Sequence, residues 1–253
     1  CIRDRSRTYR NRTTLHLIFI RFCGLKQSLG SFFVLKALGL RNVPIHESGI
    51  TLKHEKLMTS PHIRLDLHPI SEPEYQHQCR FILEKEGALV LKDFGPHSPA
   101  REGVQLSSGR EAEACNAKSP HNVYLTPVNQ ELAETHPFNR QVLSSKGLLA
   151  DDQIPHDSPL RELYEAPSFR EFLCSVLGIR EIHPYADKLS SINIHFAQEG
   201  KELGWHFDNS SFAVTMLLQA PEAGGEFEYV PEVRDAETGA VSYTHLRAHE
   251  TIR

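Results

Sequence analysis

The stretch SFAVTMLLQ places Phe212, Val214, Met216 and Leu218 at every second position. Strand side chains point alternately to two faces, so this spacing buries one apolar face only as a β-strand. SSINIHFA (190–197) before it and EFEYV (226–230) after it carry the same β-branched and aromatic bias. Glu199-Gly200 and Glu222-Ala223-Gly224-Gly225 lie between the runs and suit tight turns. A lone strand leaves its backbone groups unpaired, so this part of the chain must build a sheet, and an antiparallel one.

Upstream the period changes from two to that of a helix. Ser71-Glu72-Pro73-Glu74 combines a capping Ser, an early Pro and an acid three residues after the Ser. A helix is therefore expected through EYQHQCRFILEKE, ending at Gly87. ALVLKDF (88–94) reads as a short buried strand, GPHSPAREGVQLSSG (95–109) as a loop, and HNVYL (121–125) as a strand ending at Pro127. Two short helices are expected between 157 and 178. One starts at Asp157-Ser158-Pro159; the other starts at Ser168, with Glu171 completing a capping box, and ends near Gly178. Helices followed by antiparallel strands predict an α+β fold, a sandwich or barrel flanked by helices.

Charge divides the chain. Residues 1–57 hold 11 Lys and Arg against three Asp and Glu, a net of +8, whereas 58–253 carry a net of −12. The first segment reads either as an organelle transit peptide or as upstream sequence translated ahead of Met58, and the opening Cys1 favours the second. Its apolar runs are cut by Arg21, Lys26 and Lys36, too short to span a membrane. The overall charge of −4 argues against a nucleic-acid binder. Five Cys without a C-x-x-C give neither a disulfide framework nor a zinc finger, which points to a reducing compartment: the cytoplasm, or an organelle if 1–57 is a transit peptide.

His206-Phe207-Asp208 is the candidate chemistry. Residues i and i+2 of a strand face the same side, so His206 and Asp208 can reach one ion. Two His and one carboxylate on one face of Fe(II) leave three positions for O2 and a co-substrate. Alone the tripeptide is weak: with 15 His and nine Asp among 253 residues, chance supplies roughly half an H-x-D per chain, as a surface His beside a turn-capping Asp.

Its surroundings add specificity. Asn193-Ile194-His195 on a preceding strand, a hairpin leading to GWHFD (204–208), then LLQAPEAGGEFEY (217–229) resemble the first half of the double-stranded β-helix of Fe(II)- and 2-oxoglutarate-dependent oxygenases. With HNVYL and ADDQIP (150–155), the stretch looks closest to the branch related to the free amino-acid halogenases; the resemblance covers roughly 75–235. It implies a jelly-roll, cupin-like core behind N-terminal helices. It also implies Fe(II), 2-oxoglutarate and O2 as reactants, and an amino-acid-like small molecule as substrate. Halogenases of that branch replace the carboxylate ligand with a small residue. Asp208 is retained here, which implies hydroxylation.

On the same resemblance Asn193 and His195 would touch 2-oxoglutarate, while Asn209, His121, Asn122 and Tyr124 would face substrate. Each has a plainer reading: strand-edge bonding for Asn193, packing for His195, turn capping for Asn209. Trp205 reads as packing beside the metal strand.

The resemblance also calls for a second His and a carboxylate-binding Arg, downstream of a further strand. After Val233-Arg234-Asp235 nothing of that kind follows. His245 and His249 stand only 37 and 41 residues beyond Asp208, and SYTHLRAHET resembles translated sequencing adapter. Neither they nor Arg247 and Arg253 are therefore taken as ligands or clamp, nor the His pair as a zinc site. The expected organisation is a non-native or transit segment (1–57), an oxygenase domain with an incomplete barrel (58–235) and an artefactual tail (236–253), an inactive fragment of the enzyme. A metal-free β-sandwich binding module is the alternative.

Overall fold

The computed structural model describes residues 7–9, 16–21, 23–35, 37–38, 63–95, 110, 115–185, 187, 189, 191–207, 212–219 and 227–231. The expected loop beyond Gly95, the turn at 222–225 and the tail 236–253 lie outside them.

The first expected helix is α1, Pro73–Glu86, but Glu72 rather than Ser71 is its N-cap and no side chain bonds there. Pro73 has no N–H to satisfy and a φ already suited to a helix, so it starts the helix without a cap. Gly87 ends it at φ 72°, donating its N–H to the Leu83 carbonyl. The second helix, α2 (Pro159–Glu165), begins as expected, with Ser158 Oγ accepting from the Leu160 N–H. The third, α3 (Pro167–Leu177), starts before Ser168: Ala166 is its N-cap and Pro167 its first residue, so Ser168 and Glu171 lie within the helix. Gly178 closes α3 at φ 67°, where a Cβ would lie 2.7 Å from the Arg80 guanidinium of α1. Among the described residues no helix is long and apolar enough to cross a membrane.

The strands are β1 (Arg7–Tyr9), β2 (His16–Arg21), β3 (Cys23–Leu35), β4 (Ala37–Leu38), β5 (Ala88–Lys92) and β6 (Cys115–Asn122). They continue with β7 (Gln141–Leu149), β8 (His183–Pro184), β9 (Ile192–Phe207), β10 (Phe212–Gln219) and β11 (Phe227–Pro231). Nine join one sheet in the order β5-β2-β10-β3-β9-β7-β6, with β11 against β3 and β1 against β11; β4 pairs with β8. Every pairing among the described residues is antiparallel. The architecture is thus α+β around an open antiparallel sheet, and strands from either side of residue 57 pair within it.

Two strands differ from expectation. HNVYL is not a strand: β6 ends at Asn122, and 123–126 form a turn. The segment 192–207 is a single strand, not the two arms of a hairpin. Both of its halves run antiparallel to β3, from Leu35↔Ile192 to Gly24↔Phe207. Glu199-Gly200 falls in a bulge, where Ser28↔Glu202 and Gly30↔Ala197 set two steps of β3 against five of β9. The turn signal marked extra chain, which the strand absorbed without reversing.

The main core lies between the sheet and the helices. Ile192 and Ile194 of β9 and Phe212, Val214, Met216 and Leu218 of β10 pack with Leu83, Leu160, Phe169 and Phe172 of the helices. Asn193, His195, Ala213 and Thr215 occupy the opposite face, and they too are buried. Within ADDQIP, buried Asp151 ties this layer together. One oxygen is 2.6 Å from Arg161 Nη2, and the other accepts from the Ile192 N–H at 3.0 Å and from the Ser191 hydroxyl. Arg161 also donates to the Asp151 and Ile154 carbonyls, so the carboxylate sits in a closed set of donors at the entry to β9.

Candidate functional site

His206 stands one residue from the end of β9, with 9% of its surface exposed. Its ring Nδ1 is 2.9 Å from the Gly204 carbonyl oxygen. A carbonyl only accepts, so Nδ1 carries the hydrogen, and in the neutral ring the lone pair is then on Nε2. That arrangement is the one a metal-binding imidazole needs, since the ligand nitrogen must be unprotonated and the other is usually anchored by a backbone carbonyl or carboxylate.

Gly204 reaches this position because it lacks a side chain. A Cβ there would lie 2.7 Å from the Leu143 carbonyl oxygen and 3.2 Å from Val142 Cγ2 of β7. The Gly204 N–H donates to Ser144 Oγ at 2.9 Å, and Ser144 Oγ is 2.6 Å from His121 Nε2. His121 Nδ1 is 2.9 Å from the Asn122 carbonyl oxygen, so Nδ1 donates, and Nε2 accepts the Ser144 hydroxyl proton. The rings of His121 and His206 meet edge to face, 6.3 Å apart at 87°.

The turn after β6 closes over the end of β9. The Phe207 N–H donates to the Val123 carbonyl at 2.7 Å. Asn122, fully buried, accepts from the N–H groups of Tyr124 (3.2 Å) and Thr126 (3.1 Å) through Oδ1. Its amide thus shapes the turn, and Leu125 takes a left-handed φ of 57°. The Tyr124 ring stacks on Phe138 (4.6 Å) and leans on Phe207 (5.4 Å), forming with Trp205, Val123 and Val230 a small apolar cluster beside His206. Trp205 has the packing place expected of it.

The predicted site residues therefore fall into three groups. His121, Asn122 and Tyr124 gather around His206. Asn193 and His195 are buried on the same strand but at its other half. His206 pairs with Leu25 and His195 with Phe32, seven positions along β3, which places the two about 20 Å apart. Asp208 and Asn209 lie outside the described residues, and among the described residues no three His, Cys, Asp or Glu side chains converge to hold a metal. Sequence reasoning missed Ser144 and Gly204. A glycine inside a strand signals close approach of another backbone and could have flagged Gly204; nothing marks Ser144.

The family model of Halogenase D matches residues 123–251, from the turn that closes over β9 through His206, Asp208 and β11. No curated protein and no solved structure matches the chain. With just over half of its 253 residues matched, the chain belongs to the Halogenase D family.

Proposed function

We propose that this protein is a non-haem Fe(II)- and 2-oxoglutarate-dependent dioxygenase that hydroxylates an amino-acid-like small molecule, its antiparallel sheet being part of a double-stranded β-helix. The observation that carries the reading is His206: a buried imidazole at a strand end, its Nδ1–H tied to the Gly204 carbonyl, the tautomer that makes Nε2 the ligand nitrogen. Asp208, two residues on, would supply the carboxylate. A carboxylate in that place occupies the position a halide would need, which favours hydroxylation within a family named for halogenation. With 2-oxoglutarate and O2, bound iron supplies the oxidising power that converts a C–H bond to C–OH and yields succinate and CO2.

The protein's own part is to hold and to exclude. The Gly204 carbonyl fixes the tautomer of His206, and the Tyr124, Trp205 and Phe207 cluster keeps water from the strand beside it. Anaerobic titration tests the reading. In a chain that carries the downstream His and Arg which the resemblance calls for, Fe(II) and 2-oxoglutarate together should produce a visible charge-transfer absorption that neither gives alone and that His206→Ala lacks. No absorption, together with a melting temperature indifferent to 2-oxoglutarate, would refute it and leave a metal-free binding module.

A further inference from the structure

We infer that Ser144 and His121 are positioning residues for His206, forming a hydrogen-bonded relay from β7 and β6 that sets the ring of the metal-ligating histidine. The inference rests on the reading of His206 as a ligand. The relay runs in one direction. The Gly204 N–H donates to Ser144 Oγ, the Ser144 hydroxyl donates to His121 Nε2, and His121 Nδ1–H donates to the Asn122 carbonyl. Every donor has an acceptor, and a chain with one direction polarises each bond in turn. The other end of residue 204, its carbonyl, receives His206 Nδ1–H.

Gly204 is therefore held from both sides: Ser144 fixes its N–H, and its carbonyl fixes the His206 ring. Three further observations make this a device rather than incidental bonding. Ser144 is buried, with 6% of its surface exposed, so its hydroxyl has no competing water. The missing Cβ of Gly204 lets β9 approach the Leu143 carbonyl, which brings the N–H into reach of Ser144. The edge of one imidazole meets the face of the other, so His121 restrains the His206 ring directly as well as through the relay. Partners of this outer kind usually cost 10–100-fold in metal affinity when removed.

Two measurements on the full chain test the idea. The first needs no metal: ring 15N chemical shifts should report His206 protonated at Nδ1 in the wild type. In Ser144→Ala the Nδ1 and Nε2 tautomers should mix, and Ser144→Thr, which keeps the hydroxyl, should restore the wild-type signal. Unchanged His206 shifts in Ser144→Ala would overturn the relay. The second uses Co(II) alone as a probe. Ser144→Ala and His121→Phe should bind it about 10–100-fold more weakly, with shifted d–d bands, and Ser144→Thr should recover both. If these variants bind Co(II) like the wild type while His206→Ala abolishes binding, the relay is wrong and the ligand stands. If His206→Ala binds Co(II) as the wild type does, the ligand assignment itself fails, and the positioning role fails with it.

Discussion

Replacing Gly204 by alanine tests the packing on which the site depends. The added Cβ would sit 2.7 Å from the Leu143 carbonyl oxygen, a backbone atom fixed in β7, and 3.2 Å from Val142 Cγ2. Neither neighbour is a flexible side-chain end, so the two strands must part by about half an ångström, and overpacking of this kind costs about 1–3 kcal/mol. The same displacement stretches the 2.9 Å bond from the Gly204 N–H to Ser144, with a further loss of about 1 kcal/mol. The predicted destabilisation is about 3 kcal/mol, equivalent to a melting temperature lower by roughly 6–12 °C. Urea denaturation should show a lower midpoint with an unchanged slope. Gly178→Ala is the control. Its Cβ would meet only the movable guanidinium of Arg80, so it pays mainly for the left-handed φ, about 1 kcal/mol. If Gly204→Ala is no more costly than Gly178→Ala, the strands do not approach as closely as this reasoning requires.

Asp151→Ala removes a buried carboxylate from Arg161, Ser191 and the Ile192 N–H and should cost about 3 kcal/mol; a calorimetric loss below about 1 kcal/mol would contradict its role at the entry to β9. Asn139→Asp turns a donor that serves the carbonyls of Asn129, Leu132 and Ala133 into a fourth oxygen among them. The variant should lose about 2–3 kcal/mol and be cut faster than the wild type by protease within 127–140; equal cleavage rates would refute this. Burial pushes the phenols of Tyr75 and Tyr164 and the thiols of Cys79 and Cys174 above their ordinary values of 10.0 and 9.0. The unfolded chain then sheds these protons first, so stability is whole below about pH 9 and falls as pH rises through the shifted values. A denaturation midpoint that stays flat from about pH 8 to about 10.5 would exclude the effect.

The helices were legible wherever a proline or glycine states a backbone requirement. Gly87 and Gly178 end α1 and α3 where expected, because only glycine takes a left-handed φ cheaply. Their starts were misplaced by a residue or more, because Pro73 and Pro167 supply what Ser71 and Ser168 were expected to supply. β7 was invisible, since Ser144 and Gly147 occupy buried positions where a periodicity search looks for apolar side chains. The site shows the same division. His206 stands out because its chemistry is written in its own neighbours, Trp205 to Asp208. Ser144 acts from 62 positions earlier, and only the pairing of distant strands brings it to Gly204. Charge set residues 1–57 apart, yet charge carries no information on backbone pairing, and β2 and β3 lie inside the sheet.

The bulge in β9 acts as a phase adjuster. Side chains alternate along a strand, so the residues held in this bulge and in the second irregularity between Leu203 and His206 decide which face His206 presents relative to 192–195. One residue more or fewer there turns the downstream half over, carrying His206 to the side now occupied by its neighbours, while two restore it. Ile192 and Ile194, which pack into the helical core, lie upstream of the bulge and keep their faces under either change. The aim of the histidine can therefore vary by insertion while Ile192 and Ile194 stay in the core.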